Sequence, residues 1–307
     1  MPFHKIVAVQ LLLLLCCSTG FSQVTDTLAT DSSTVNRRKL IPIVAVETAF
    51  YVAGMSYLQF VWYKDKERVP FHFYNDTKGY QQVDKFGHVF GAYVESYIGY
   101  KLLRNAGVSK GKALLYGGTL GLVLQTPIEV YDGLYKGWGF SAPDMVANAA
   151  GSAFVIGQEL LFDEQVAKYK FSFSPSPYYK QANGYLGDTH LESLFLDYNS
   201  HTYWLSVPIN KLALKNTVPD WANVAIGYSA NGMFGEFQNR RYYRGVSLPE
   251  TERNRQFLLS LDIDWTKIKT DSRLLNTILK GMFFIKLPFP ALEVNSKGQV
   301  KGHWLYY

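Results

Sequence analysis

Apolar and polar positions change period once along this chain, near residue 166. Before it, four long apolar segments follow one another, Leu40 to Trp62, Phe86 to Leu103, Ala113 to Tyr131 and Met145 to Phe162. After it, apolar residues alternate with polar ones, most clearly in Arg255 to Trp265. There Phe257, Leu259, Leu261, Ile263 and Trp265 share one side, and Leu258, Ser260, Asp262 and Asp264 the other. Shorter stretches, Tyr169 to Ser174, Tyr203 to Val207, Asn223 to Ser229 and Met282 to Leu287, predict further strands between Pro, Gly and Asn turns. The expected fold is therefore α+β: a bundle of about four apolar helices, residues 40–166, then an antiparallel strand-rich region, 167–307.

Each helical segment approaches the roughly 20 residues that cross a bilayer. None is clean, because Glu47, His88, Glu95, Gln125, Glu129, Asn148 and Glu159 interrupt them. An ionisable group at membrane depth costs about 2.5–3.5 kcal/mol on the lenient scale, so these side chains must face protein or water. The helices are thus expected to pack on one another, through the small pairs Gly87/Gly91, Gly117/Gly121, Ala147/Gly151 and Ala153/Gly157. Five to seven short strands fall below the eight at which single-chain bacterial barrels begin, which favours a partial or membrane-associated sheet over a barrel or transport module.

The first 22 residues read as a secretory signal: Lys5, an apolar run from Ile6 to Cys17, then Ser18, Gly20 and Ser22 before cleavage ahead of Gln23. Both cysteines, Cys16 and Cys17, fall inside it, so a chain cut there has no disulfide, thiolate metal site or cysteine nucleophile. The rival reading makes Cys16 or Cys17 a lipidation site, although Leu15 or Cys16 precedes it where a small residue is expected. Residues 23–39 read as a polar tether. The net charge of +6 divides unevenly, with ten basic against twelve acidic groups in 40–165 and 17 against 11 in 166–307. Export removes nucleic acid as a partner and leaves membrane lipid or outer-membrane proteins.

The polar residues of the helices carry the chemistry. Asp84 and His88 are four apart and share a helix face, beside Lys85. Glu129 and Asp132 close the third segment. Ser141, Pro143 and Asp144 read as a helix start with Ser141 as cap, and Asn148 lies one turn beyond Asp144. If the second and fourth helices are neighbours, these groups meet. The first reading of the set is a buried polar network that fixes helix register. Behind it stand an acid/base site, with His88, Glu129 and Asp144 catalytic, and a site for a hard or borderline divalent metal. No cofactor is firmly implied, and whether the chain is an enzyme stays open.

The stretch from Asp84 to His88, then Glu129 and Asp132, then Phe140 to Asp144 with Asn148 and Gly151, resembles the YfiM-like family of bacterial envelope proteins. Its order is also similar to the VanZ-like family, with Asp84, Lys85 and His88 matching the first element, Glu129 the second, and Asp144, Asn148 and Gly151 the third. The resemblance covers about residues 80–165. It implies a periplasmic or outer-membrane location in a Gram-negative bacterium and no set activity. The resulting expectation is an exported, outer-membrane-associated protein with a structural or assembly role, the alternative being a membrane-interface hydrolase or transferase.

Overall fold

A computed structural model describes residues 34–212 and 218–307. The signal, Cys16 and Cys17, and tether residues 23–33 lie outside them. The chain forms two compact units, one of residues 34–76 and 88–165, the other of 77–87 and the described part of 166–307.

The first unit is helical. Helix α1, Arg37–Tyr57, starts inside the expected tether, where the Asn36 side chain accepts from the Lys39 N–H, and it runs on into a π turn, Leu58–Trp62. Helix α2, Val83–Asn105, follows a two-residue strand β1, Phe73–Tyr74. The third apolar segment is two helices, α3, Lys110–Tyr116, and α4, Leu120–Asp132, because Gly117, Gly118 and Thr119 break it. Strand β2, Phe140–Ser141, pairs in parallel with β1 and leads into α5, Ala142–Phe162, with Pro143 in its first turn. The bundle is only partly realised, since α1 buries none of its residues. By length and composition, Arg37–Trp62 and Ala142–Phe162 are long and apolar enough to cross a membrane, and 39% of the second window is buried.

Glycines set the spacing of this unit. A Cβ on Gly121 would lie 2.0 Å from the Ala92 carbonyl oxygen, and one on Gly151 would lie 2.3 Å from that of Val89. Backbones of α4 and α5 therefore rest directly on α2. Ser96 and Ser152 exchange a 2.9 Å hydrogen bond, and each hydroxyl accepts a backbone N–H from the first turn of α4, Gly121 and Leu122, at 3.0 Å. Two donors that a helix start leaves without intrahelical partners are thus satisfied from α2 and α5.

In the second unit, strands β3, Lys168–Phe173; β4, His201–Pro208; β5, Ala222–Asn231; β8, Asn254–Ile263; β9, Phe289–Asn295; and β10, Val300–Tyr306 form one antiparallel sheet. Its order is β10-β9-β8-β5-β4-β3, so each strand pairs with its sequence neighbour in the sheet. A small hairpin, β6, Tyr242–Tyr243, and β7, Val246–Ser247, fills the connection before β8. Short helices α6, His190–Leu196, α7, Ile209–Leu212, and α8, Arg273–Gly281, lie in the other connections. The expected strand Met282 to Leu287 is instead an irregular run. Met282 is spent capping α8, and only Ile285 bridges to Phe171. Among the described residues the sheet has six strands with β3 and β10 at its ends, short of a barrel.

Register fixes the two faces of the sheet. Leu205, Ile226, Leu259 and Leu292 stand opposite one another in one row, and Trp204, Gly227, Leu258 and Glu293 in the next. The face carrying Trp204 is the buried one, and much of it is polar: Lys170, Ser172, Ser206, Asn223, Ser260, Asp262 and Glu293. The apolar face is in large part exposed, with Ile226 at 63%, Phe257 at 50%, Leu259 at 51% and Leu261 at 54%. The polarity is the reverse of a half-buried sheet in water.

Candidate functional site

The site is built on α2, α4 and α5 of the helical unit. Ser141 caps α5, accepting the Asp144 N–H at 3.1 Å, and its own hydroxyl donates to Asp76 at 2.6 Å. This fixes the first turn of α5, so that Asp144 and Asn148, one turn apart, point to α2. His88 receives them. Its Nδ1 lies 3.1 Å from Asn148 Oδ1 and 3.8 Å from Glu129 Oε1, and its Nε2 lies 3.6 Å from Asp144 Oδ1. Glu129 in turn accepts the Ser141 backbone N–H at 3.4 Å.

The carboxylates are sealed and the imidazole less so. Side-chain exposure is 2% for Glu129, 6% for Asp144 and 18% for His88. Burial pushes the Glu129 carboxyl up to about 8; His88 opposes the shift, and Asp144 and Asp132 add to it. Glu129 therefore holds a proton near neutral pH. The Nδ2 of Asn148 is buried with no hydrogen-bond partner among the described residues.

Three further sequence-expected members have partners of their own. Asp132 accepts a hydrogen bond from the Tyr63 hydroxyl. Lys85 pairs with Asp84 at 3.0 Å. Asp84 also accepts the Tyr198 hydroxyl at 2.9 Å, within the strand unit. Asp84 and His88 remain on successive turns of α2, as their spacing required.

The sequence reading passed over how far the polar pairing extends. Beyond His88 and the Ser96–Ser152 pair, Glu95 accepts from Gln125 at 3.1 Å, and Tyr100 donates to Glu159 at 2.8 Å. Asp76 and Tyr63 were also missed. They lie between the apolar segments Leu40 to Trp62 and Phe86 to Leu103, where nothing in the pattern marks them.

The chemistry available is narrow. An imidazole with a carboxyl group beside each nitrogen can hold or pass a proton. Within the helical unit, His88 Nε2 and Asp144 Oδ1 are donor types that a divalent cation accepts. Sequence comparison bears on the same residues.

A family model described as "Predicted periplasmic lipoprotein (DUF2279)" matches residues 72–158.

The match spans Asp76, Asp84, His88, Glu129, Asp144 and Asn148 alike. It supports an exported envelope protein and assigns no activity. No curated protein and no solved structure matches the chain.

Proposed function

We propose that this chain is an outer-membrane-associated structural or assembly protein of the YfiM-like, distantly VanZ-like kind, whose helical unit is a scaffold held in register by its polar core. The observation that carries the reading is the sealing of Glu129 and Asp144 against His88, Ser141 and Asn148. Polar pairs then recur along α2 at Glu95, Ser96 and Tyr100. A network of this kind selects one helix register, because any slip strands several buried polar groups at once. The family description also favours lipidation at Cys16 or Cys17, which would tether the chain to a membrane facing the periplasm. Its partners would be membrane lipid or outer-membrane proteins.

The test is His88→Ala and Asp144→Asn in the full chain, read as envelope abundance and thermal stability. The scaffold reading expects both variants to be depleted or to melt earlier. A second reading, a hydrolase or transferase acting at the membrane interface, draws on the Glu129 carboxyl at about 8 beside the partly reachable His88 ring. It expects a His88→Ala protein of wild-type abundance and stability with its phenotype lost.

A further inference from the structure

The sheet of the strand unit turns its polar side inward and its apolar side out. On the inward side Lys170 Nζ meets Asp262 Oδ2 at 2.7 Å, Ser206 donates to Asp262 at 2.5 Å, and Gln256 donates to Glu293 at 2.7 Å. Lys286 lays its ammonium 4.5 Å above the Trp204 ring. A water-soluble sheet has no reason to bury these groups while Ile226, Phe257, Leu259, Leu261, Leu292 and Val294 stand exposed. Strands that meet lipid show this arrangement.

Two further observations bear on what this unit meets, one on the face itself and one in the connection that leads into β9. A groove of about 560 Å³ opens on it, lined by Leu259, Leu261, Leu292 and Trp304 among others. Trp304 is 91% exposed, an amphipathic ring of the kind that settles at headgroup level. The connection from β8 to β9 carries Lys267, Lys269, Arg273 and Lys280 against Asp271, its other two charges, Asp264 and Lys286, being buried. Within that connection α8 leaves Leu274, Leu275 and Ile278 exposed. A short helix with apolar and basic groups side by side is complementary to anionic headgroups over an acyl layer.

We infer that the apolar face of the β5, β8 and β9 strands, with Trp304 and the basic α8 connection, docks on the surface of a bilayer containing anionic lipid. The contact is by face and not by immersion. Among the described residues β10 pairs only with β9, so one row of its backbone groups is open, and such an edge is not tolerated in hydrocarbon. The inference takes from the envelope reading only that a bilayer is at hand. It stands or falls apart from the polar core of the helical unit, whose test reads stability.

The test uses the full chain with Cys16→Ser and Cys17→Ser, which removes both native thiols and any lipid anchor. Single cysteines at Ile226, Leu259 and Leu292, and at exposed Glu250 as control, carry an environment-sensitive fluorophore. Vesicles of phosphatidylethanolamine with about one quarter phosphatidylglycerol include doxyl-labelled lipid as quencher. Expected are a blue shift and strong quenching at 226, 259 and 292, and neither at 250. Lys267→Glu with Lys269→Glu should lower binding severalfold, as should omission of phosphatidylglycerol. Labels at the three face positions that stay as solvent-exposed as the one at 250 on vesicle-bound protein would overturn the inference. So would labels shielded without vesicles in a protein that light scattering shows to be a dimer, since a second copy would then cover the face.

Discussion

The ammonium of Lys170 and the carboxylate of Asp262 lie 2.7 Å apart with side-chain exposures of 0% and 1%, on adjacent parts of the buried face of the sheet. Removing Lys170 takes away the cation in contact with Asp262 where water cannot reach it, and leaves the carboxylate the Ser206 hydroxyl and the field of the buried Lys286 ammonium. Lys170→Met should cost about 3–5 kcal/mol. The double variant Lys170→Met with Asp262→Leu should recover part of that loss, because it removes two desolvated charges but also the carboxylate that supports the buried Lys286 ammonium and accepts from Ser206. Urea midpoints of the wild type, both single variants and the double variant complete the cycle. A Lys170→Met protein as stable as wild type would place the pair in water after all.

Glu129 gives the helical unit a pH dependence. Its carboxyl is raised from 4.5 to about 8 by burial, so the fold binds a proton that the unfolded chain releases at lower pH. That contribution is fully present below about pH 4.5 and is lost as pH rises through about 8. It amounts to on the order of 5 kcal/mol. Glu95 has the same sign, raised to about 8 by burial, with Gln125 and His88 opposing. Thermal melting temperature should therefore fall between pH 5 and 9. Glu129→Gln should flatten part of the slope, and adding Glu95→Gln more of it.

Gly157 and Gly121 offer a matched pair. No atom lies within 4 Å of a Cβ placed on Gly157, so Gly157→Ala in α5 should stabilise by up to about 1 kcal/mol through helix propensity. Gly121→Ala meets the Ala92 backbone and must separate two helices, at a cost of about 1–3 kcal/mol or more. Opposite shifts in melting temperature are the expected outcome. A loss at Gly157 would contradict the open space found there.

Ser141 does two jobs, capping α5 and donating to buried Asp76. Ser141→Ala should cost about 1–2 kcal/mol for the cap, and further for the acceptor left behind. Ser141→Asp keeps the cap but sets a second carboxylate beside Asp76. It should therefore rescue less than a neutral cap such as Ser141→Asn, which sets no like charge beside Asp76. Melting curves of the three variants separate the roles.

The change of period near residue 166 was legible because helix and strand patterns are local. So were the alternation of β8, the cap at Ser141 and the shared face of Asp84 and His88. The convergence of His88, Glu129, Asp144 and Asn148 could be written as a condition on helix adjacency. What the sequence could not yield depends on distance along the chain. The Ser96 and Ser152 hydroxyls look like small packing residues until α4 begins between them. Asp132 stays close enough to Glu129 to raise its carboxyl, and its hydrogen bond from Tyr63, 69 residues away, is one that no local pattern marks. Which side of β8 is buried is also absent from alternation alone, since Leu258 and Leu259 are equally apolar. Lys170, Lys286 and Trp204, from three separate segments, settle it.

The Gly121 and Gly151 contacts alter how relatives of this chain should be compared. Ala92 is gripped from two sides by bare backbone, so it and its two glycines have almost no permitted replacements although they do no chemistry. Invariance there would report a mechanical constraint. The positions that would inform on activity are those with room to vary and no packing reason to stay fixed, and on α2 that means the partly reachable side of His88.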